Sequence, residues 1–268
     1  RDGLVTGVQT CALPISYVLG ISAGASLGVA LFVLGFSSTV AFGVFSTSGA
    51  WSLALVAWLG SFLVMLLVLY VSTRVNDIMT LLILGILFTS AVTSVVSILQ
   101  YFSSESMLKA FIIWTMGSLG SVTKAQLMVL TPAIILGILL AFLKVKDLNA
   151  FLLGEDYTRS LGVSVKTSRF VIFLSASLLA GTITAFCGPI GFIGIAVPHI
   201  CRLLFKTANH LVLVPAVIIT GSIAMLFSDI VSQLPGMQTT LPINSVTALI
   251  GIPVIIWMII RNRKFVSV

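Results

Sequence analysis

The sequence predicts an all-α, polytopic membrane helix bundle with about eight transmembrane helices, on three observations. The first is composition: 59% of the 268 residues are hydrophobic, only 8% are charged, and the mean hydropathy is +1.22. A soluble domain carries charge on roughly a quarter of its residues, so this chain cannot cover its surface for water. The second is run length. The apolar stretches approach the ~20 residues that a helix needs to cross hydrocarbon, and they lack the apolar–polar alternation of barrel strands. The third is that the basic residues fall between the runs and, once the runs are alternated across a bilayer, collect on one side.

Residues 1–15, RDGLVTGVQTCALPI, carry no helical period and fit nothing downstream. Val5 to Ile15 resembles the conceptual translation of a sequencing-adapter oligonucleotide, so the stretch is expected to be an assembly artefact, with one or two native helices missing before a domain over 16–268. The first span runs from about Tyr17 to Leu34 and is rich in Gly, Ala and Ser, which let membrane helices approach closely. A Ser/Thr/Gly-rich turn leads to the second span, Trp51 to Val71, and the polar turn Arg74 to Asp77 leads to the third, Ile78 to Leu99. Tyr101 to Lys124 is too interrupted for a plain span and reads as a re-entrant or interfacial piece, with Trp114 near the headgroups. The fourth span is Leu127 to Leu143. Residues 145–169 form the longest polar interval, read as one or two short surface helices broken at Gly154 and Gly162. The fifth span, Phe170 to Phe186, ends before Gly188-Pro189, and a short kinked sixth follows to about Leu204. Leu211 to Val231 and Ile243 to Ile260 complete the set.

With Arg1 set aside, alternation of these spans leaves only Lys109 and Lys124 on one face. Arg74, Lys144, Lys146, Arg159, Lys166, Arg169, Arg202, Lys206, Arg261, Arg263 and Lys264 take the other, which the positive-inside rule makes cytoplasmic, C-terminus included.

The polar exceptions bear on chemistry. Asp229, late in the seventh span, is costly at membrane depth and a functional candidate; the reading preferred here is an interfacial residue paired with Ser232 or a backbone N–H. His199 lacks a second ligand at i+3 or i+4 and reads as a helix-end histidine rather than a metal ligand. Cys11, Cys187 and Cys201 have no metal or disulfide spacing. GPIGFIG lacks the Gly-Lys-Ser/Thr ending of a phosphate loop, and no nucleophile–base set is visible, so no enzyme activity or cofactor is expected in this chain. The interval 145–169 is longer than most connections; its leucines 152, 153 and 161 favour docking on a cytosolic partner over a merely solvated loop.

Several blocks stand out in order from Tyr17 to the end: YVLGISAGASLG, WTMGSLG, NAFLLGEDYTRSLGV, GPIGFIGIAVPHICRLL with Asn209-His210, Ser228-Asp229, and LPINSVTALIGIP. Together they resemble the FecCD-type permeases that serve iron-siderophore, haem and vitamin B12 importers. The resemblance implies a ten-helix permease of which these spans are the third to tenth. It would work as a homodimer in the inner membrane, with two cytosolic ATPase subunits that hold ATP and Mg and an extracytoplasmic binding protein. It implies alternating access driven through Leu152, Leu153, Gly154, Glu155, Arg159, Leu161 and Gly162, and an inner gate at Asp77, Ile78, Met79 and Thr80. There the bulk of Ile78 and Met79 departs from the small hydroxylated residues of the vitamin B12 member. Gly191, Phe192, Gly194, Pro198, His199, Arg202, Asp229 and Pro242 match its motifs. Gln233 stands where some members dock the binding protein through arginine, so that contact is expected to be weaker there, to move to Lys109 or Lys124, or to lie in the missing helices. Asn244 replaces a family glycine and is expected to supply a positive φ. The competing readings are an ion-coupled secondary transporter using Asp229 and a non-functional permease fragment.

Overall fold

A computed structural model describes residues 21–35, 55–64, 66–67, 70, 78–120, 122–233 and 241–262; the side chains of 21–22, 78–82, 84, Glu155 and 257–262 lie outside that description. The described residues are helical, without a strand. The helices are α1 (Ile21–Gly35), α2 (Leu55–Val64), α3 (Ile78–Tyr101), α4 (Glu105–Met116), α5 (Lys124–Leu143), α6 (Val145–Phe151), α7 (Glu155–Ser160), α8 (Val165–Cys187), α9 (Ile193–Phe205), α10 (His210–Ser232) and α11 (Ile243–Asn262).

Three of these, α5, α8 and α10, are long and apolar enough to cross a membrane, and α1, α2, α3, α9 and α11 contain shorter apolar helical segments. These eight fall where the eight spans were expected. The fifth starts earlier than expected, because the helix takes in the polar turn from Val165 through Arg169. The sixth starts later, at Ile193, because Gly188 has φ +77° and Phe192 φ +61°, backbone that no helix can hold.

The spans pack in two groups. In one, α8 lies against α1 and α5, and α1 against α3; in the other, α9, α10 and α11 pack on one another. Ala25, Val29, Ala57, Val129, Ala185 and Phe186 form the core of the first group, and Val197, Cys201, Leu213 and Ala216 that of the second. Two short elements bridge them: α4 touches both α1 and α11, and α6 touches both α5 and α10.

The small residues of the first span do what lipid demands of them. With lipid tails as apolar as the helices, packing rather than water exclusion holds helices together, and small residues let backbones meet. A Cβ on Gly24 would lie 2.6 Å from the carbonyl oxygen of Gly60, and Gly28 and Gly60 stand equally close to Val56 and Gly24. Ala25, Ala57 and Ser61 seal the same crossing at 0% exposure. Across from it, Trp58 Nε1 donates to Thr182 Oγ1 at 2.6 Å, joining α2 to α8.

Overpacking a close crossing costs about 1–3 kcal/mol, so Gly60→Val is expected to lower the melting temperature of the detergent-purified chain by several degrees. An unchanged melting temperature would mean that α1 and α2 do not meet at these glycines.

Candidate functional site

Helix direction separates the two ends of the bundle. The α6–α7 hairpin joins the C-terminus of α5 to the N-terminus of α8, beside the N-terminus of α10. At the other ends of the same helices, about 30 Å away for a 20-residue helix such as α5, lies a cavity of about 910 Å³. Phe111, Trp114, Phe186, Gln126, Asp229 and Gln233 are among its lining. Lys144, Lys146, Arg159, Lys166, Arg169, Arg202 and Lys206 sit at the hairpin end, Lys109 and Lys124 at the cavity end.

At the hairpin end, the chain leaves α6 at Leu152, turns through Leu153 and Gly154 at φ +103°, makes the single turn of α7, and turns again at Gly162, φ +80°. Both glycines therefore occupy backbone that side-chain-bearing residues rarely adopt, which is why the interval breaks there. Thr158 is fully buried and anchors α7 through its hydroxyl, which donates to Gly154 O at 2.7 Å. Leu153, Tyr157 and Leu161 point the other way and are 64%, 53% and 55% exposed. Arg159 is exposed, Leu152 is half-buried, and Glu155 opens the helix.

The root of the hairpin is polar, and Asp147 and Asn149 tie it on two sides. Asp147 Oδ2 accepts from Lys144 Nζ at 2.8 Å and from Ser168 Oγ at 2.5 Å, binding α6 to the ends of α5 and α8. Burial pushes the Asp147 carboxyl up, but the hydrogen bonds from Lys144 and Ser168 and the Lys144 charge outweigh it and hold the group below its ordinary value. On the other side, Asn149 Nδ2 donates to Asn209 Oδ1 at 2.8 Å. Asn149 Oδ1 accepts from the backbone N and from Nδ1 of His210, each at 2.8 Å.

At the cavity end three of the recognised blocks meet. Trp114 Nε1 donates to Ala185 O at 3.1 Å and Ser118 N to Cys187 O at 3.0 Å, laying the end of α4 on the end of α8. Gly117 (φ +75°) and Gly188 are there in near contact, so neither position has room for a side chain. Gly191 N donates to Asn244 Oδ1 at 3.2 Å, which brings in the start of α11. Gly251 admits Phe192 closely, a Cβ there lying 2.8 Å from the Phe192 Cβ.

Two expectations change, those for Asn244 and for the partner of Asp229. Asn244 lies inside α11 and is not among the described residues with positive φ; it serves through its side-chain oxygen. Asp229 accepts from Gln233 Nε2 at 2.8 Å, one helical turn on, whereas Ser232 donates to Leu241 O. Gln233 is exposed but thus already engaged with Asp229. Trp114 is half-buried in the seam between α4 and α8. His199 donates through Nδ1 to Ile195 O at 3.0 Å, and Arg202 is half-buried in the last turn of α9. Pro198 lies inside α9, Pro242 precedes α11, and Gly194 faces open space. Ile78, Met79 and Thr80 form the first turn of α3, and Asp77 lies outside the described residues, as do 1–20.

Sequence reasoning missed two features. One is the Asn149 and Asp147 root, for which only the polar character of the interval was a signal. The other is a hydroxyl-bearing exposed face on α3: Ser90, Thr93, Ser94 and Ser97 are exposed at membrane depth. Three of them donate to carbonyls four residues back, Thr93 to Thr89, Ser94 to Ser90 and Ser97 to Thr93. Their i, i+3, i+4 and i+7 spacing was legible and passed over.

A lipid-embedded bundle with a tethered polar hairpin at its basic end and a large cavity at the other is the build of a membrane permease. The FecCD transport family model matches residues 12–261, and the chain belongs to that family. It is 30% identical over 248 residues to the hemin transport system permease protein of Yersinia pestis, covering 92% of this chain and 72% of that one. It is 33% identical over 246 residues to the vitamin B12 import system permease protein of Klebsiella pneumoniae, covering 92% and 71%. A solved ABC transporter of assigned metal-chelate type, in an inward-facing conformation, superposes with a TM-score of 0.77 at 27% identity, covering 95% of this chain and 81% of that one. The protein is thus an ABC importer permease, a membrane transport subunit rather than an enzyme.

The Asp147 tie carries a pH signature. Its folded carboxyl titrates below the unfolded value of about 4, so its contribution is complete above that pH and is lost as pH falls through the folded value. Asp147→Asn is expected to lower the melting temperature at neutral pH, with the gap to the parent closing below pH ~4. A gap of constant size down to the acid end would contradict the assignment.

Proposed function

We propose that this permease carries an iron chelate (a siderophore complex or haem, with a cobalamin next) inward across the cell membrane by alternating access. In this reading two copies enclose the path, the C-terminus is cytoplasmic, a binding protein delivers the cargo from outside, and ATP and Mg act on cytosolic ATPase subunits. The observation that carries it is the apolar tip Leu153–Tyr157–Leu161, exposed on a hairpin whose root is hydrogen-bonded through Asp147 and Asn149. Leucine and tyrosine exposed together at the basic end have no lipid to enter, and a partner surface that buries them recovers about 1.5–3 kcal/mol per side chain.

The hydroxyl face of α3 supports the path. Hydroxyls that bond back to their own helix keep a surface uncharged yet wettable, which suits a bulky chelate that must pass without being held. The names of the relatives, hemin, vitamin B12 and metal chelate, support the cargo class. Family membership turns the energy source from an ion gradient at Asp229 to nucleotide. The Asp229–Gln233 bond also gives that carboxylate a local role.

The test is co-purification and uptake. Leu153→Asp with Leu161→Asp is expected to reduce capture of the ATPase subunits at least tenfold while leaving membrane insertion intact; each lost burial of 1.4 kcal/mol is a factor of about 10. Gly154→Leu, strained at φ +103°, is expected to leave ATP hydrolysis running without uptake of radiolabelled iron–siderophore or haem. Full uptake in both variants would defeat the coupling role of the hairpin.

A further inference from the structure

The α6 helix touches both packing groups at the hairpin end, and the two sides hold it differently. Toward α5 and α8 it is held by the carboxylate of Asp147. Toward the α9–α10 turn it is held by the single carboxamide of Asn149, which uses both ends at once: the donor on Asn209 Oδ1, the acceptor on two N–H groups of His210. The target is the first turn of α10. Asn209 is its N-cap, with Oδ1 also accepting from Leu211 N at 3.0 Å. His210, the first helical residue, is 3% exposed. Pro215 denies the helix its bond back to Leu211, so this turn depends on outside partners more than an ordinary first turn does.

From there α10 runs 23 residues to the cavity, where Asp229, Ser232 and Gln233 line the wall and Ser232 donates to Leu241 O just before α11. A helix of that length spans about 35 Å and delivers at one end what is done to it at the other.

We propose that Asn149 is a positioning residue for energy coupling: it clamps the hairpin to the first turn of α10, so that displacement of the α7 tip reaches the α9–α11 group and its end of the cavity. This rests on the reading of the hairpin as the ATPase contact. Asp147 serves the α5–α8 side independently, so removing Asn149 splits the response without detaching the hairpin. The clamp needs a side chain with an acceptor of this reach; alanine has none and serine falls short, whereas aspartate keeps the acceptor for both His210 donors.

The test is hydrogen exchange read by mass spectrometry on the assembled transporter in nanodiscs, with and without the non-hydrolysable nucleotide AMP-PNP. In the parent, nucleotide is expected to change protection both at 152–162 and at 210–214. In Asn149→Ala the hairpin response stays and the response at 210–214 falls roughly fivefold or more, the span of ordinary coupling; Asn149→Asp, which keeps the acceptor for His210 but loses the donor to Asn209, keeps the hairpin response and part of that at 210–214. Should the alanine variant fail to assemble, Asn149→Ser is expected to show the same split. A full response at 210–214 in Asn149→Ala or Asn149→Ser, or its loss in Asn149→Asp as complete as in alanine, overturns the clamp while leaving the hairpin contact standing. A parent hairpin that does not respond to nucleotide overturns both.

Discussion

A peptide group in hydrocarbon has no water to turn to, so each N–H and C=O must be satisfied within the protein. That constraint shapes the rest of this structure. It makes the spans helical, and it dictates what happens where a helix stops inside the bundle. The break between α8 and α9 is such a place. Gly188 and Phe192 take positive φ there, and the freed groups are met by named partners: Ser118 N reaches Cys187 O and Asn244 Oδ1 takes Gly191 N. Three stretches far apart in sequence are drawn together because each supplies what another leaves open. The recurring glycines of these blocks are the space that such backbone exchange requires.

The same constraint explains why the two ends of the bundle differ. At the hairpin end water is available, so charge is tolerated and used: Asp147 with Lys144, Arg159 in the last turn of α7, the basic residues along the rim. Deeper, several polar groups are paired within the protein, some within their own helix and some across the bundle. The α3 hydroxyls bond to their own helix, Asp229 to Gln233 one turn on, Trp114 to a carbonyl of α8. The hydroxyls of α3 thereby leave its exposed face polar without charge.

Fold class, the eight spans and the hairpin with its two glycine breaks were legible because each depends on near neighbours in sequence: run length, punctuation by Gly and Pro, and the side on which Lys and Arg fall. The misreadings concern partners chosen by tertiary packing. Ser232 was as plausible a neighbour for Asp229 as Gln233, and only the path of the chain toward Leu241 decides that Ser232 is taken. Asn244 in place of a glycine suggested backbone freedom, since asparagine is the usual substitute at positive φ. The helix begins one residue earlier, and the side chain, not φ, is what counts. Nothing in the order of Asn149, Asn209 and His210 announces that sixty residues of chain return to the same point.

The contrast between tip and root of the hairpin fits the coupling role proposed for it. A tip that is apolar and exposed can trade solvent for a partner repeatedly, because burial of Leu153, Tyr157 and Leu161 is nondirectional and tolerates a moving surface. The root cannot work that way, since a contact that slides transmits nothing. Hydrogen bonds weaken steeply with angle and distance, and the root has them in sets: two on the Asp147 oxygen, three on the Asn149 carboxamide. An amide engaged at both ends cannot rotate without breaking more than one bond. The chemistry at each place therefore matches a mechanical role, adaptable where the partner arrives and directional where the force must enter the bundle.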